Sequence, residues 1–403
     1  MTDTSTASST TSARTELLER ASKIAPLLRD NAAEAERSRR LPDANVEAMS
    51  AEGFFSLRTP ARFGGLETDL RTYTDVVARI AGACGSSGWI AFISNATAWV
   101  VSSAFGEQAL REVFGGNPST RFIGLLAPTA TSRRVEGGHA VTGRWGFASN
   151  SSHADWAMLT APLEDEDGDV SPHLILAPMT ELTVVDTWFV AGMAGTGSNT
   201  VETGGEVFVP THRTVPFGRV LSGRTQSESS HQSVPQRENF VISAVHMVGA
   251  PVIGMARAAL DVTLERLRTP KPISYTFYTD TRDAPSTQLN IAKAATLIDT
   301  AEMLLQWWAD ETVGAASEGR EFDALARARF RANFGYAMEC CRDATKLLLN
   351  VQGASAFATT NPVQRIWRDL ETASRHGLLN YEFGQEVYSR SLLGIEEPIG
   401  VLV

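Results

Sequence analysis

The apolar positions of this chain change period twice, and the two changes divide it into three unlike parts. From Thr15 to Arg39, residues Leu17, Leu18, Ile24, Leu27 and Leu28 recur at helical spacing with charges between them. A short helix over 43–52 is predicted to stop at Gly53, and the loop FFSLRTPARFGG follows, with Pro60 and Gly64-Gly65 as turn signals. Two more helices are predicted over 69–83 and 87–105. Near Arg121 the period drops to two. The runs FIGLLAP, GHAVTGRWGFAS, WAMLTAPL, HLILAPM, LTVVDTW and GEVFVP are separated by turns such as EDEDGD, which predicts a β-barrel or sandwich over 121–221. Helical spacing returns over 239–268, 286–315, 321–350, 362–375 and 377–393, and long helices in series predict an antiparallel bundle over 239–403. Two segments follow neither period: the Ser/Thr/Ala-rich lead-in 1–14, predicted disordered, and the polar loop 222–238, predicted flexible. The expected class is α+β and multi-domain: a helical domain over 15–120, the β-domain, then the bundle.

Composition narrows the function classes. A net charge of −10 argues against nucleic acid, whose binding depends on neutralising phosphates with Lys and Arg. The three cysteines, Cys84, Cys340 and Cys341, have no metal-ligand spacing and fit a reducing cytoplasm. The N-terminus lacks a charged stretch followed by an apolar one, so no secretion signal is read there. Trp89 to Phe105 is the most apolar run, but Ser94, Asn95, Thr97, Ser102 and Ser103 interrupt it, which predicts a buried helix and not a membrane span.

The stretch Gly143–Trp156, GRWGFASNSSHADW, carries the most chemistry. Trp145 and Phe147 are expected on one side of a strand that ends in Ser149, Asn150, Ser151 and Ser152. Aromatics beside hydroxyl and amide groups suit one wall of a flat heteroaromatic ligand site; an Asn/Ser turn closing a strand is the alternative. Elsewhere, Gly195-Thr196-Gly197-Ser198 is a turn with spare amides and hydroxyls, and Gln352-Gly353 reads as the end of a long helix. His376 followed by Gly377 also reads as a helix C-terminus. His153 and His246 are read as supporting and packing residues, and Trp307-Trp308 as bundle or subunit packing. No GxGxxG follows a strand, so no nicotinamide site is expected within this chain.

Five strings in order, LPDANVEAMSAEGFFSLRTPARFGG, SSGWIAFI, GRWGFASNSSHADW, DTWFVAGMAGTGSNTVE and VQGASAFATTNPVQRIWRDLETASRH, resemble the acyl-CoA dehydrogenase fold. Within it they resemble the two-component flavin-dependent monooxygenases of the 4-hydroxyphenylacetate and hydroxylated-steroid type. The resemblance implies a flavin between β-domain and bundle, with Phe147 and Ser149 beside the isoalloxazine, Trp89 packed close, and Thr196 and Ser198 as further contacts. It implies that Gln352 and Gly353 reach the flavin of a neighbouring subunit in a homotetramer or homodimer.

Dehydrogenases of this fold commonly place a catalytic Glu after the Arg-Asp pair. Here Glu371 lies too early and the expected place holds His376 or Gly377, where the monooxygenase branch carries a His. The resemblance thus makes His376 catalytic with Ser149, donating to a flavin C4a-hydroperoxide or taking a proton from substrate. A second histidine of the phenol hydroxylases falls at Thr97, and a substrate-facing Ser falls at Ile123 or Gly124. Thr97, Gly124, His376 and Asn380 are the expected substrate pocket. The implied activity is hydroxylation of an indole-like or phenol-like aromatic, such as in natural-product (indolosesquiterpene) biosynthesis. It would use FADH2 or FMNH2 from a separate NAD(P)H-dependent reductase, and O2. Three alternatives stay open: N-oxygenation of an amine or amino sugar, a true acyl-CoA dehydrogenase with bound FAD, and a non-catalytic protein keeping the fold.

Overall fold

The N-terminal helical spacing folds into α1 (Thr4–Asp30), α2 (Ala32–Ser38), α3 (Asp43–Ala51), α4 (Leu70–Ala83), α5 (Gly85–Ala104) and α6 (Glu107–Phe114). These come from a computed structural model that describes residues 4–127, 129–165, 167–221, 233–395 and 397–400. Asp69 caps α4 by accepting the Thr72 amide at 2.6 Å. The expected helix over 15–39 is divided at Asn31, and α1 begins at Thr4 where a disordered lead-in was expected. The Ser/Thr/Ala run holds no Gly or Pro, and adding turns to an existing helix is far easier than nucleating one.

Among the described residues nine strands follow: β1 (Phe122–Gly124), β2 (Ala130–Val135), β3 (Gly138–Ala148), β4 (Trp156–Glu164), β5 (Val170–Pro178), β6 (Leu182–Val185), β7 (Asn199–Thr203), β8 (Val207–Pro210) and β9 (Thr214–Pro216). One sheet runs β1-β4-β5-β9 and the other β2-β3-β7-β6, with β8 also paired to β3. Val141, Trp145, Leu159, Ile175 and Val201 fill the space between them. Strands β2, β7 and β9 have no counterpart among the runs picked out by alternation, being polar or three residues long.

The remaining helices are α7 (Phe217–Leu221), α8 (Phe240–Leu267), α9 (Pro285–Glu318), α10 (Ala324–Gln352), α11 (Pro362–Ala373) and α12 (Tyr381–Leu392). α8 is long and apolar enough to cross a membrane, but 89% of that window is buried inside the protein. It lies against α4 so closely that a Cβ at Gly254 would sit 2.0 Å from the Ala78 carbonyl oxygen. The polar loop expected over 222–238 lies outside the described residues as far as 232. From Ser233 the chain forms a capped 3-10 turn over Val234–Arg237. Glu238, read as part of that loop, is instead fully buried on Arg58 at 2.5 Å. The helix expected over 377–393 is split: residues Gly377–Leu379 make a 3-10 turn, and Asn380 caps α12 by accepting the Phe383 amide at 2.7 Å.

Candidate active site

A cavity of about 650 Å³ opens in the seam between the β-domain and the helices. α5 supplies Trp89, Phe92 and Thr97; the end of β1 supplies Gly124; the end of β3 supplies Phe147 and Ser149. Phe240 and Met247 of α8 and the stretch Thr372–Leu378 close the other side. No carboxylate lines it among the described residues, and its charged lining side chain, Arg375, is paired with Glu371. Gly124 leaves room for its neighbour: a Cβ there would lie 2.2 Å from Thr97 Oγ1.

Two aromatics of β3 part company at a bulge. Trp145 was expected to share a face with Phe147, but the β3–β7 register shifts between Trp145 and Ala148, and Phe147 takes a φ of +62°. Trp145 therefore turns into the β-domain core, donating from Nε1 to the Thr160 carbonyl at 3.0 Å. Phe147 is 75% exposed and meets Trp188 edge-on, 5.7 Å between ring centres, at the cavity wall.

The small polar residues after the bulge sew two turns together. The Asn150 amide donates to the Thr196 carbonyl at 3.0 Å, and Ser151 Oγ donates to the Gly197 carbonyl at 2.7 Å. Trp89 Nε1 donates to Ser149 Oγ at 3.1 Å; Ser149 Oγ lies 2.7 Å from Ser198 Oγ, which lies 2.7 Å from Thr196 Oγ1. Thr196 Oγ1 donates in turn to the Met193 carbonyl at 2.8 Å. Turn chemistry and ligand wall are thus the same residues.

Across the cavity, His376 caps the 3-10 turn that follows α11. Its Nδ1 accepts the Leu378 amide at 3.3 Å, which leaves the proton of the neutral ring on Nε2. Its ring stands 5.8 Å from that of Trp89. Surrounding protein pushes its pKa down to about 4, so at neutral pH the ring is an uncharged N–H donor. This tautomer favours donation over the proton-accepting role also considered.

Of the residues expected at the site, Trp89, Thr97, Gly124, Phe147, Ser149, Thr196, Ser198 and His376 line this one cavity. Gln352, Gly353 and Asn380 do not. Gln352 donates to Thr263 Oγ1 and accepts from Asn361 Nδ2, both at 2.8 Å, while Gly353 borders a separate shallow cavity with Phe357 and Trp367. Asn380 is exposed at the start of α12. His153 also lies elsewhere, 3.1 Å from the Leu41 carbonyl.

Three residues escaped the pattern reading. Trp188 and Met193 line the cavity from the connection between β6 and β7. Asp369, on α11, accepts the Met193 amide at 2.5 Å, and Arg368 beside it donates to the Ala191 carbonyl. That grip fixes the turn bearing Thr196 and Ser198. Burial raises the Asp369 pKa to about 6. An Arg-Asp pair inside an otherwise amphipathic helix was the available signal.

The donor set suits a flavin: apolar and aromatic faces for a flat tricyclic ring, with hydroxyls at one edge and an imidazole N–H at hand. Comparison with known proteins points the same way. Residues 14–115 match the acyl-CoA dehydrogenase N-terminal domain and residues 246–381 the acyl-CoA dehydrogenase C-terminal domain. The oxygenase subunit HsaA of a flavin-dependent monooxygenase from Rhodococcus jostii is 31% identical, over 94% of this chain and 98% of that protein. The chain belongs to the flavin-dependent monooxygenase oxygenase components of the acyl-CoA dehydrogenase fold. A pigment production hydroxylase of Rhodococcus sp. is 30% identical over 95% of this oxygenase component and 97% of its own length. The structure of XiaF from Streptomyces sp. in complex with FADH2 and glycerol superposes with a TM-score of 0.92, at 34% identity over 98% of this chain and 99% of XiaF.

Proposed function

We propose that this oxygenase component hydroxylates an aromatic substrate, indole-like or phenol-like, using O2 and a reduced flavin delivered by a separate reductase. A bound reduced flavin supplies the oxygen chemistry; the chain orients the partners, excludes water and holds a proton at His376 Nε2. One observation carries the reading: the cavity that fits a flavin is apolar, presents a neutral imidazole donor, and has no carboxylate among its described lining residues. Removal of a proton alpha to a thioester needs a base there, and Glu371 is held instead by Trp367 Nε1 and Arg375. Relatives include an FADH(2)-dependent resorcinol hydroxylase oxygenase component from Rhizobium sp., 29% identical, and an indole-3-acetate monooxygenase of Pseudomonas putida, 25% identical, which supports an aromatic substrate. Gln352 and Gly353 act, in this reading, on the flavin of a neighbouring copy in a homotetramer or homodimer, since they do not line the cavity of their own chain. Three free buried thiols fit work in a reducing cytoplasm.

The test is anaerobic loading with chemically reduced FAD or FMN, then mixing with aerated buffer containing indole or a phenol. Hydroxylated product in amounts matching the oxygen consumed supports the reading. Desaturation of an acyl-CoA with an artificial acceptor, and no aromatic product, would overturn it.

A further inference from the structure

The hydrogens of the polar chain beside the cavity can be assigned one by one. Four close contacts link Trp89 Nε1, Ser149 Oγ, Ser198 Oγ, Thr196 Oγ1 and the Met193 carbonyl oxygen. An indole nitrogen only donates, a carbonyl oxygen only accepts, and each hydroxyl owns a single hydrogen. Thr196 spends its hydrogen on Met193, so Ser198 must donate to Thr196. Ser149 must then donate to Ser198, and Trp89 donates to Ser149. Four hydrogens fill four contacts in one direction only.

The far end of the chain is firmly seated. The Met193 carbonyl also accepts Trp188 Nε1 at 3.0 Å and the Thr196 amide at 3.2 Å, while the Met193 amide is held by Asp369. Ser149 is left with its hydrogen committed to Ser198 and one lone pair unused by the chain.

We propose that Thr196 and Ser198 are positioning residues that act through Ser149: they fix its hydroxyl as an acceptor, so that the site takes a ring nitrogen bearing hydrogen and refuses one bearing a lone pair. This rests on the reading of the cavity as a flavin site. A dihydroflavin carries a hydrogen on its central-ring N5, where the oxidised ring has a bare nitrogen. The polarity of the chain therefore favours the reduced cofactor and discourages the oxidised one from staying. In this role Thr196 and Ser198 act through Ser149, which differs from the direct contact that the family resemblance implies.

The experiment measures two dissociation constants for each variant by absorbance titration: oxidised FAD in air, and dithionite-reduced FAD under argon, with FMN in parallel. Wild type is expected to prefer the reduced form. In Thr196→Val the hydrogen of Ser198 loses its acceptor, Ser149 can turn its own hydrogen toward the cavity, and the ratio of the two constants is expected to fall about tenfold, the scale of one mispaired buried polar group. Thr196→Ser keeps the hydroxyl and should restore the ratio. A merely structural role weakens both redox states alike and leaves the ratio unmoved, so an unchanged ratio in Thr196→Val overturns the proposal. Equal affinity of the wild type for both states overturns it as well. Ser198→Ala, with the same expected fall, substitutes if Thr196→Val does not fold by far-UV circular dichroism. Binding of neither flavin state by wild type would refute the flavin reading itself, a result distinct from an unmoved ratio.

Discussion

Two buried histidines in two regions of the molecule show how little burial alone says about function. His376, at the end of α11, and His246, inside α8, are both stripped of charge by desolvation, with pKa values pushed down to about 4 and about 3. His246 is sealed. Thr74 Oγ1 gives its hydrogen to the Leu70 carbonyl at 2.7 Å, so His246 Nε2 donates to Thr74 at 3.0 Å, and His246 Nδ1 has no partner among the described residues. His376 is arranged the other way round: backbone holds Nδ1, and no partner is found for Nε2 among the described residues, on a side chain that lines the cavity. Desolvation of both rings yields a packing residue in one place and a poised donor in the other. Access decides.

The most severe way to break this contrast is truncation. His376→Ala is expected to cut coupled hydroxylation by about 100-fold, the low end of what a positioned proton donor contributes, with oxygen released as hydrogen peroxide. His246→Leu, by contrast, should leave coupling unchanged. Product and peroxide are measured per flavin oxidised; coupled product undiminished in His376→Ala removes that ring from the chemistry. Because the ring protonates only near pH 4, coupling should also be level from pH 6 to pH 8, without the inflection near 6.5 of an exposed histidine.

A smaller effect separates the two regions through stability. His246 takes up a proton near pH 6.5 when unfolded but only near pH 3 when folded, so acid favours the unfolded chain. The stability it supports is complete above pH 6.5 and drains away as pH falls toward 3. Between pH 7 and pH 5 that loss is about 2 kcal/mol. Urea unfolding of wild type and His246→Leu at both pH values should show the variant gaining that amount on the wild type at pH 5, since it has nothing to protonate. A constant difference between the two proteins would mean that His246 is already charged, or open to water, in the native state.

Much of this contrast was legible from residue order, and the reason is covalent. Trp89, Phe147, Ser149 and His376 sit inside strings whose local structure, a helix start, a strand end and a helix end, is written by neighbours in sequence. What stayed hidden depends on register and on distant partners. Alternation put Trp145 and Phe147 on one face, and a one-residue bulge set them on opposite errands. Glu238 looked like loop polarity because Arg58, 180 residues away, gives no local sign that it will bury a charge there. Asp369 likewise gains its meaning from Met193, across the boundary between the bundle and the β-domain. Gln352, Gly353 and Asn380 fall away from the cavity because helix ends that are near in sequence to a site point elsewhere in three dimensions.

Asp369 gives the gentlest test, and its sign is opposite to that of His246. Desolvation raises the folded carboxyl to about 6, above the ordinary aspartate value of about 3.9, so the fold resists its ionisation. Its contribution is present below pH 4 and is lost as pH rises through 6. Asp369→Asn keeps an oxygen to accept the Met193 amide but cannot ionise. Relative to wild type, it should therefore gain about 1 kcal/mol between pH 5 and pH 7, whatever fixed offset the new amide adds. The same two-pH urea comparison measures this. A difference falling with pH would mean that the carboxylate is stabilised as a charge, by Arg365 or Arg368 nearby, and that it grips the Thr196–Ser198 turn electrostatically and not as a buried acid. Such a result would also bring the two regions closer together, with α11 holding the β-domain turn through an ion pair instead of by sharing a hydrogen bond in a dry seam.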